Sequence, residues 1–134
     1  MITKEDVESF LNRITASGAT YSEVESGFWI VRPSPENEVS IAVTFSPPVL
    51  LMRVDVMKLP TDKAQEATLT RRLLELNAHD LLHGSYGIQD DHVVLTEALE
   101  LSALDYEEFL ATYESITLAL ASHLREIGSF REAR

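Results

Sequence analysis

The sequence predicts an α+β fold in which an antiparallel sheet carries helices on one face. Three observations lead there. Apolar residues at helical spacing, each set behind a capping residue, occur near the start, in the middle and near the end of the chain. Runs with a period of two fill the stretches between them. The connections among those runs are too short for parallel crossovers, so a meander is the economical topology.

The first helix opens at Thr3, with Asp6 three residues on in the reciprocal capping position. Val7, Phe10, Leu11 and Ile14 make one apolar stripe, and Gly18 is placed to end the helix in a left-handed conformation. Residues 21–25 read as a short strand, Ser26 and Gly27 as a turn, and 28–32 as a second strand stopped by Pro33 and Pro35. Val39, Ile41, Val43 and Phe45 alternate with Ser40, Ala42 and Thr44 in a half-buried strand. After Pro47 and Pro48 comes the strand 49–57. Strict alternation puts Leu50, Met52, Val54 and Val56 on one face, and Leu51, Arg53, Asp55 and Met57 on the other. Asp62 with Gln65 starts a second helix, whose Leu69, Leu73 and Leu76 share a side and which ends near Asn77 or Ala78. Asp90 and Asp91 turn a hairpin between 86–88 and 93–98. Asp105 caps the longest helix, which runs to Gly128 with Phe109, Tyr113, Ile116, Leu120, Leu124 and Ile127 along one face. The order is α-β-β-β-β-α-β-β-α, or α-β-β-β-α-β-β-α where the first short strand merges with the second. Residues 1–134 read as one domain, with 129–134 a loose tail.

Eleven basic residues against 22 acidic ones give a formal net charge of −11. That balance argues against nucleic acid and against an anionic membrane surface as partners. With no cysteine, disulfides, thiol catalysis and Cys-based metal sites are excluded. The first residues have no apolar core of a signal peptide, and no stretch approaches a membrane span, so a cytoplasmic protein is expected.

Catalytic constellations are few. His79 and His83, four apart in His79-Asp80-Leu81-Leu82-His83, have the spacing of two helical zinc ligands, which would suit a small metal-dependent hydrolase. Asp80 is a methylene short for the general base of that motif, no third ligand is spaced to join, and the helix is expected to end before His83. The reading is therefore no catalytic residue, no metal and no cofactor. Glu97 and Glu100, like Glu23 and Glu25, read as solvated carboxylates rather than an acid–base pair. More informative is apolar content on the second face of the sheet. Trp29, Val31, Leu51, Met57, Val93 and Leu95 are the candidate residues of a partner-binding or dimer surface there.

One succession of motifs has a familiar look. Leu73-Leu74-Glu75-Leu76-Asn77, then Gly84-Ser85-Tyr86-Gly87-Ile88, Val93-Val94-Leu95, Leu99-Glu100-Leu101 and Asp105-Tyr106-Glu107-Glu108-Phe109 together resemble the C-terminal half of the type III secretion chaperone-like superfamily. That grouping holds the Tir/CesT-type chaperones and the YbjN-type sensory transduction regulators. The resemblance implies an α-β-β-β-α-β-β-α fold, a homodimer and no catalytic activity. For the secretion chaperones it implies binding an extended segment of a partner protein, by strand addition and apolar grooves. Asn77, Gly84, Tyr86 and Gly87 match as fold-defining residues. A regulatory dimer without chaperone activity is the other branch.

Overall fold

The computed structural model describes residues 1–36 and 39–131. Its elements are α1 (Lys4–Ile14), β1 (Thr20–Glu25), β2 (Phe28–Arg32), β3 (Ile41–Ser46), β4 (Val49–Lys58), α2 (Lys63–His79), β5 (Ser85–Gln89), β6 (His92–Glu100) and α3 (Tyr106–Gly128). The first short strand stays separate from the second. Each helix begins where its cap stands. Thr3 and Asp6 form the reciprocal pair, Asp62 accepts from the Gln65 N–H, and Asp105 accepts from the Glu108 N–H. Gly18, at φ 103°, closes the turn after α1. Asp90 and Asp91 both take positive φ, as a two-residue hairpin turn requires.

The six strands form one antiparallel sheet in the order β1-β2-β3-β4-β6-β5. Its inner face meets Val7, Leu11 and Ile14 of α1, Leu69, Leu73 and Leu76 of α2, and Phe109, Ile116, Leu120 and Ile127 of α3 in a single core. Cross-strand register decides which strand residues join them. Trp29 lies opposite Val43, and Val43 opposite Met52, so the three side chains share a face. Val54, Leu95 and Tyr86 form a second such row.

Strict alternation fails once, in β4. The pairing with β6 passes from Asp55–Val94 to Met57–Val93 and skips Val56, a β-bulge. One extra residue reverses the parity beyond it, so Met57 is buried on the helix side and not beside Leu51. α2 runs through His79, slightly past its expected end. Phe130, within the span 129–134 expected as a loose tail, packs partly on the core just after α3; residues 132–134 are outside the described residues.

Candidate protein-binding surface

The face of the sheet turned away from the helices is open. Phe28, Thr44, Leu51 and Ala98 form one row across β2, β3, β4 and β6, and Ile30, Ala42, Arg53, Thr96 and Ser85 form the next, reaching β5. Leu51, at the centre, is 40% exposed. Two shallow hollows of about 510 and 620 Å³ meet at Leu51 and Arg53. The first is floored by Phe28, Ile30, Ala42 and Thr44. Asp55, at the margin, accepts a hydrogen bond from His92 Nδ1 at 2.9 Å.

Of the six surface candidates, Leu51 alone lies on this open face. Trp29, Val31, Val93 and Leu95 are fully buried and Met57 nearly so, all within the core. Both faces of β2 are apolar, so composition could not tell which set turns inward. The register with β3 decides it, and the open face takes Phe28 and Ile30 instead.

The two edges of the sheet differ. Gln89 and His92 flank the hairpin turn as a pair exchanging main-chain bonds. Tyr86, three residues back, therefore points its N–H and C=O outward. Asn77 of α2 takes both: the Tyr86 N–H donates to Asn77 Oδ1 at 2.7 Å, and Asn77 Nδ2 donates to the Tyr86 carbonyl at 3.1 Å. A side-chain amide thus stands where a seventh strand would pair. At the far edge β1 has exposed residues throughout except half-buried Tyr21. Tyr21 donates its hydroxyl to Asn12 of α1 at 2.6 Å, and Lys4 of α1 pairs with Glu23 at 3.0 Å. Lys4 and the Gly27 N–H hold the Glu23 carboxyl below the usual carboxylate range. Glu25 and the exposed Val24 complete an acidic edge.

The matched motif residues have local reasons. Gly84 takes φ +83°, and a Cβ there would meet Leu95 and the Thr96 carbonyl oxygen at 3.3 Å. Its N–H donates to Glu97, which is half-buried and serves this contact rather than standing free in solvent. The Tyr86 hydroxyl meets His123 Nδ1 at 2.7 Å, and His123 Nε2 meets Asp80 Oδ2 at 3.3 Å. A carboxylate only accepts, so Nε2 carries a proton toward Asp80, and in the neutral imidazole Nδ1 then accepts from the phenol. Burial raises the Tyr86 pKa and keeps the phenol protonated, as that chain requires. No motif announced His123, and Asp80 stood out only as the short acid beside His79; the fold alone joins the two across 43 residues.

His79 closes α2 while His83 lies in the connector beyond it, so the helical spacing of the two is not realised on a helix. Among the described residues no three His, Asp or Glu side chains converge as metal ligands.

The family model CesT_Tir_1 matches residues 2–133. The chain belongs to the CesT_Tir_1 family. Solved structures share the fold of this CesT_Tir_1 chain. A chain of the heterodimeric complex ExoU–SpcU, from the type III secretion system of Pseudomonas aeruginosa, superposes with a TM-score of 0.66 at 12% identity, covering 94% of this chain and 98% of that one. YbjN of E. coli gives 0.65 at 15% identity, covering 93% of each. The Yersinia pestis type III secretion chaperone SycH, solved in complex with a stable fragment of YscM2, gives 0.54 at 14% identity, covering 92% and 98%. Among curated proteins, none matches the sequence. Among the described residues of the CesT_Tir_1 chain no helix is long and apolar enough to cross a membrane.

Proposed function

We propose that this chain is a non-enzymatic protein-binding domain that receives an extended segment of a partner as an added strand beside β1. The observation that carries this reading is the inequality of the edges. Asn77 occupies the main-chain groups of Tyr86 on β5, whereas β1 presents a six-residue edge exposed at every position but half-buried Tyr21. Strand addition supplies main-chain hydrogen bonds, and alternate side chains of the segment then lie on the open face beside Thr20 and Ser22. The acidic edge and the net charge of −11 favour a segment carrying Lys or Arg. Supporting the reading, structural neighbours were solved with partner proteins bound, among them HopA1–SchA and ExsC–ExsE.

The test is hydrogen exchange. Products of neighbouring genes are co-purified with the chain, and amide exchange is compared with and without the bound product. Slower exchange at residues 20–25, with 85–89 unchanged, is expected, together with affinity that falls as salt is raised. Binding that leaves the β1 amides exchanging as before overturns the proposal. The chain is also proposed to work as a homodimer, which sedimentation would report as twice its 15.0 kDa. The likeness to YbjN, as close as that to the ExoU–SpcU chain, favours a second reading, a dimeric regulatory domain. A dimer that retains no neighbouring gene product would support it.

A further inference from the structure

The hairpin of β1 and β2 fixes which main-chain groups of the β1 edge are free. Glu25 and Phe28 flank its two-residue loop as the closing pair, which exchanges main-chain bonds. On the other side of β2, the Phe45 N–H donates to the Gly27 carbonyl. Gly27, Trp29 and Val31 therefore turn toward β3, while Phe28, Ile30 and Arg32 turn toward β1. Ile30 lies opposite Ser22 and Arg32 opposite Thr20, so those two residues bond to β2. Tyr21 and Glu23, opposite Val31 and Trp29, point their N–H and C=O outward. Their side chains lie on the helix side, where Tyr21 reaches Asn12 at 2.6 Å and Glu23 reaches Lys4 at 3.0 Å. Glu8 stands midway between Lys4 and Asn12, so the three form one file along α1 beside the edge. The Lys4 ammonium is raised above its ordinary value by the bond to Glu23 first, with Glu8 and Glu5 adding to it. Burial raises the Tyr21 phenol, and Glu8 and Glu23 add to that rise. Three carboxylates beside one ammonium leave this side of the edge acidic.

We propose that the added strand bonds antiparallel to Tyr21 and Glu23, and that its two bonded residues are Lys or Arg, selected by Glu8 of α1. The inference rests on strand addition at β1 and names the positions of the segment that carry selectivity. Directly opposed residues of an antiparallel pair exchange both main-chain bonds, so two residues of the segment, one position apart, satisfy all four outward groups. Opposed side chains share a face. The two bonded residues therefore lie on the helix side with Tyr21 and Glu23, and the residue between them lies on the open face beside Ser22. An apolar side chain at a bonded position would meet Lys4, Glu8 and Asn12, because the apolar stripe of α1, Val7, Leu11 and Ile14, is turned into the core. A long cation instead lays its stem along the Tyr21 ring and brings its charge to the carboxylates. Glu23 already serves Lys4 and the Gly27 N–H. Glu8 is then the carboxylate that an incoming cation meets, and it sets the preference.

The test titrates the isotope-labelled full chain with the heptapeptide Thr-Val-Lys-Val-Lys-Val-Thr, and with versions carrying Glu or Thr for both Lys. Saturable amide shifts centred on 20–25 are expected with the Lys peptide, and the Glu peptide should bind at least about tenfold more weakly. N-methylation of either Lys removes a bonded N–H and should weaken binding at least about tenfold. The N–H of the Val between them points away from β1, so its N-methylation should leave affinity within about twofold. Glu8→Gln keeps the shape and removes the charge. It should weaken the Lys peptide at least about fivefold and leave the Thr peptide unchanged. Shifts at 20–25 with equal affinity for the Lys and Glu peptides, with no response to Glu8→Gln, or with the methylated Val as harmful as the methylated Lys, overturn this inference and leave strand addition standing. No shift at 20–25 with any of the peptides overturns both.

Discussion

Asn77 joins helix to sheet with a single amide. Its oxygen and nitrogen serve the two outward main-chain groups of Tyr86, which need partners because that stretch is part-buried. Asn77→Ala removes both bonds and is expected to cost about 1–3 kcal/mol in urea denaturation. Asn77→Asp keeps the acceptor for the N–H but sets a carboxylate against the Tyr86 carbonyl, so it should be no better. A loss under about 0.5 kcal/mol for Asn77→Ala would mean that water takes over both bonds. The two glycines nearby separate in the same way. Gly84 has positive φ and close neighbours at its missing Cβ, whereas at Gly87 that position is open space. Gly84→Ala should therefore cost about 1–3 kcal/mol, and Gly87→Ala should stay within about 0.5 kcal/mol. Equal losses at the two would contradict the geometry. A sequence motif presents the two glycines alike; only the backbone angle and surroundings tell them apart.

At the scale of elements, helix starts were legible because each is written in a local chemical pattern. Thr3, Asp62 and Asp105 do in the structure what their spacing to the next carboxylate or amide predicts. Strand positions were legible for the same reason, since period-two runs and turn residues are local. The face each strand turns inward was legible only where one alternate set is polar, as in β3. β2 is apolar on both sides, so Trp29 and Val31 could be assigned only from their partners Val43 and Ile41. β4 hides its bulge altogether, because nothing in Val54-Asp55-Val56-Met57 marks an extra residue. This difference between Leu51 and Met57 is measurable. Met57→Ala empties a core position and should cost about 2–5 kcal/mol. Leu51→Ala, on the open face, should cost less than about 1 kcal/mol. The reverse ranking would restore strict alternation and remove the bulge.

For the whole molecule, acid excess and missing cysteine narrowed the classes of partner and chemistry, but the candidate surface depends on which edge is left unpaired. That follows from Asn77 meeting Tyr86 across the fold, and from α1 bracing β1 through Asn12 and Lys4, contacts that no local pattern encodes. The same long-range assembly sets the response to alkali. Burial raises the phenol pKa of Tyr86 and of Tyr113, and that of Tyr21 is raised as well, with desolvation the leading cause in each. The unfolded chain releases these protons near pH 10, while the folded chain holds them to higher pH. Their contribution is therefore fully present below about pH 10 and is lost as the pH rises through the folded values, at up to about 1.4 kcal/mol per pH unit for each phenol. Urea midpoints between pH 8 and 11 should be level at first and then fall. Tyr86→Phe should lower the level at pH 8 by about 1 kcal/mol, through the lost bond to His123, and make the alkaline fall shallower. A variant whose alkaline slope matches that of the parent chain would place the buried proton elsewhere and break the Tyr86–His123–Asp80 chain as drawn.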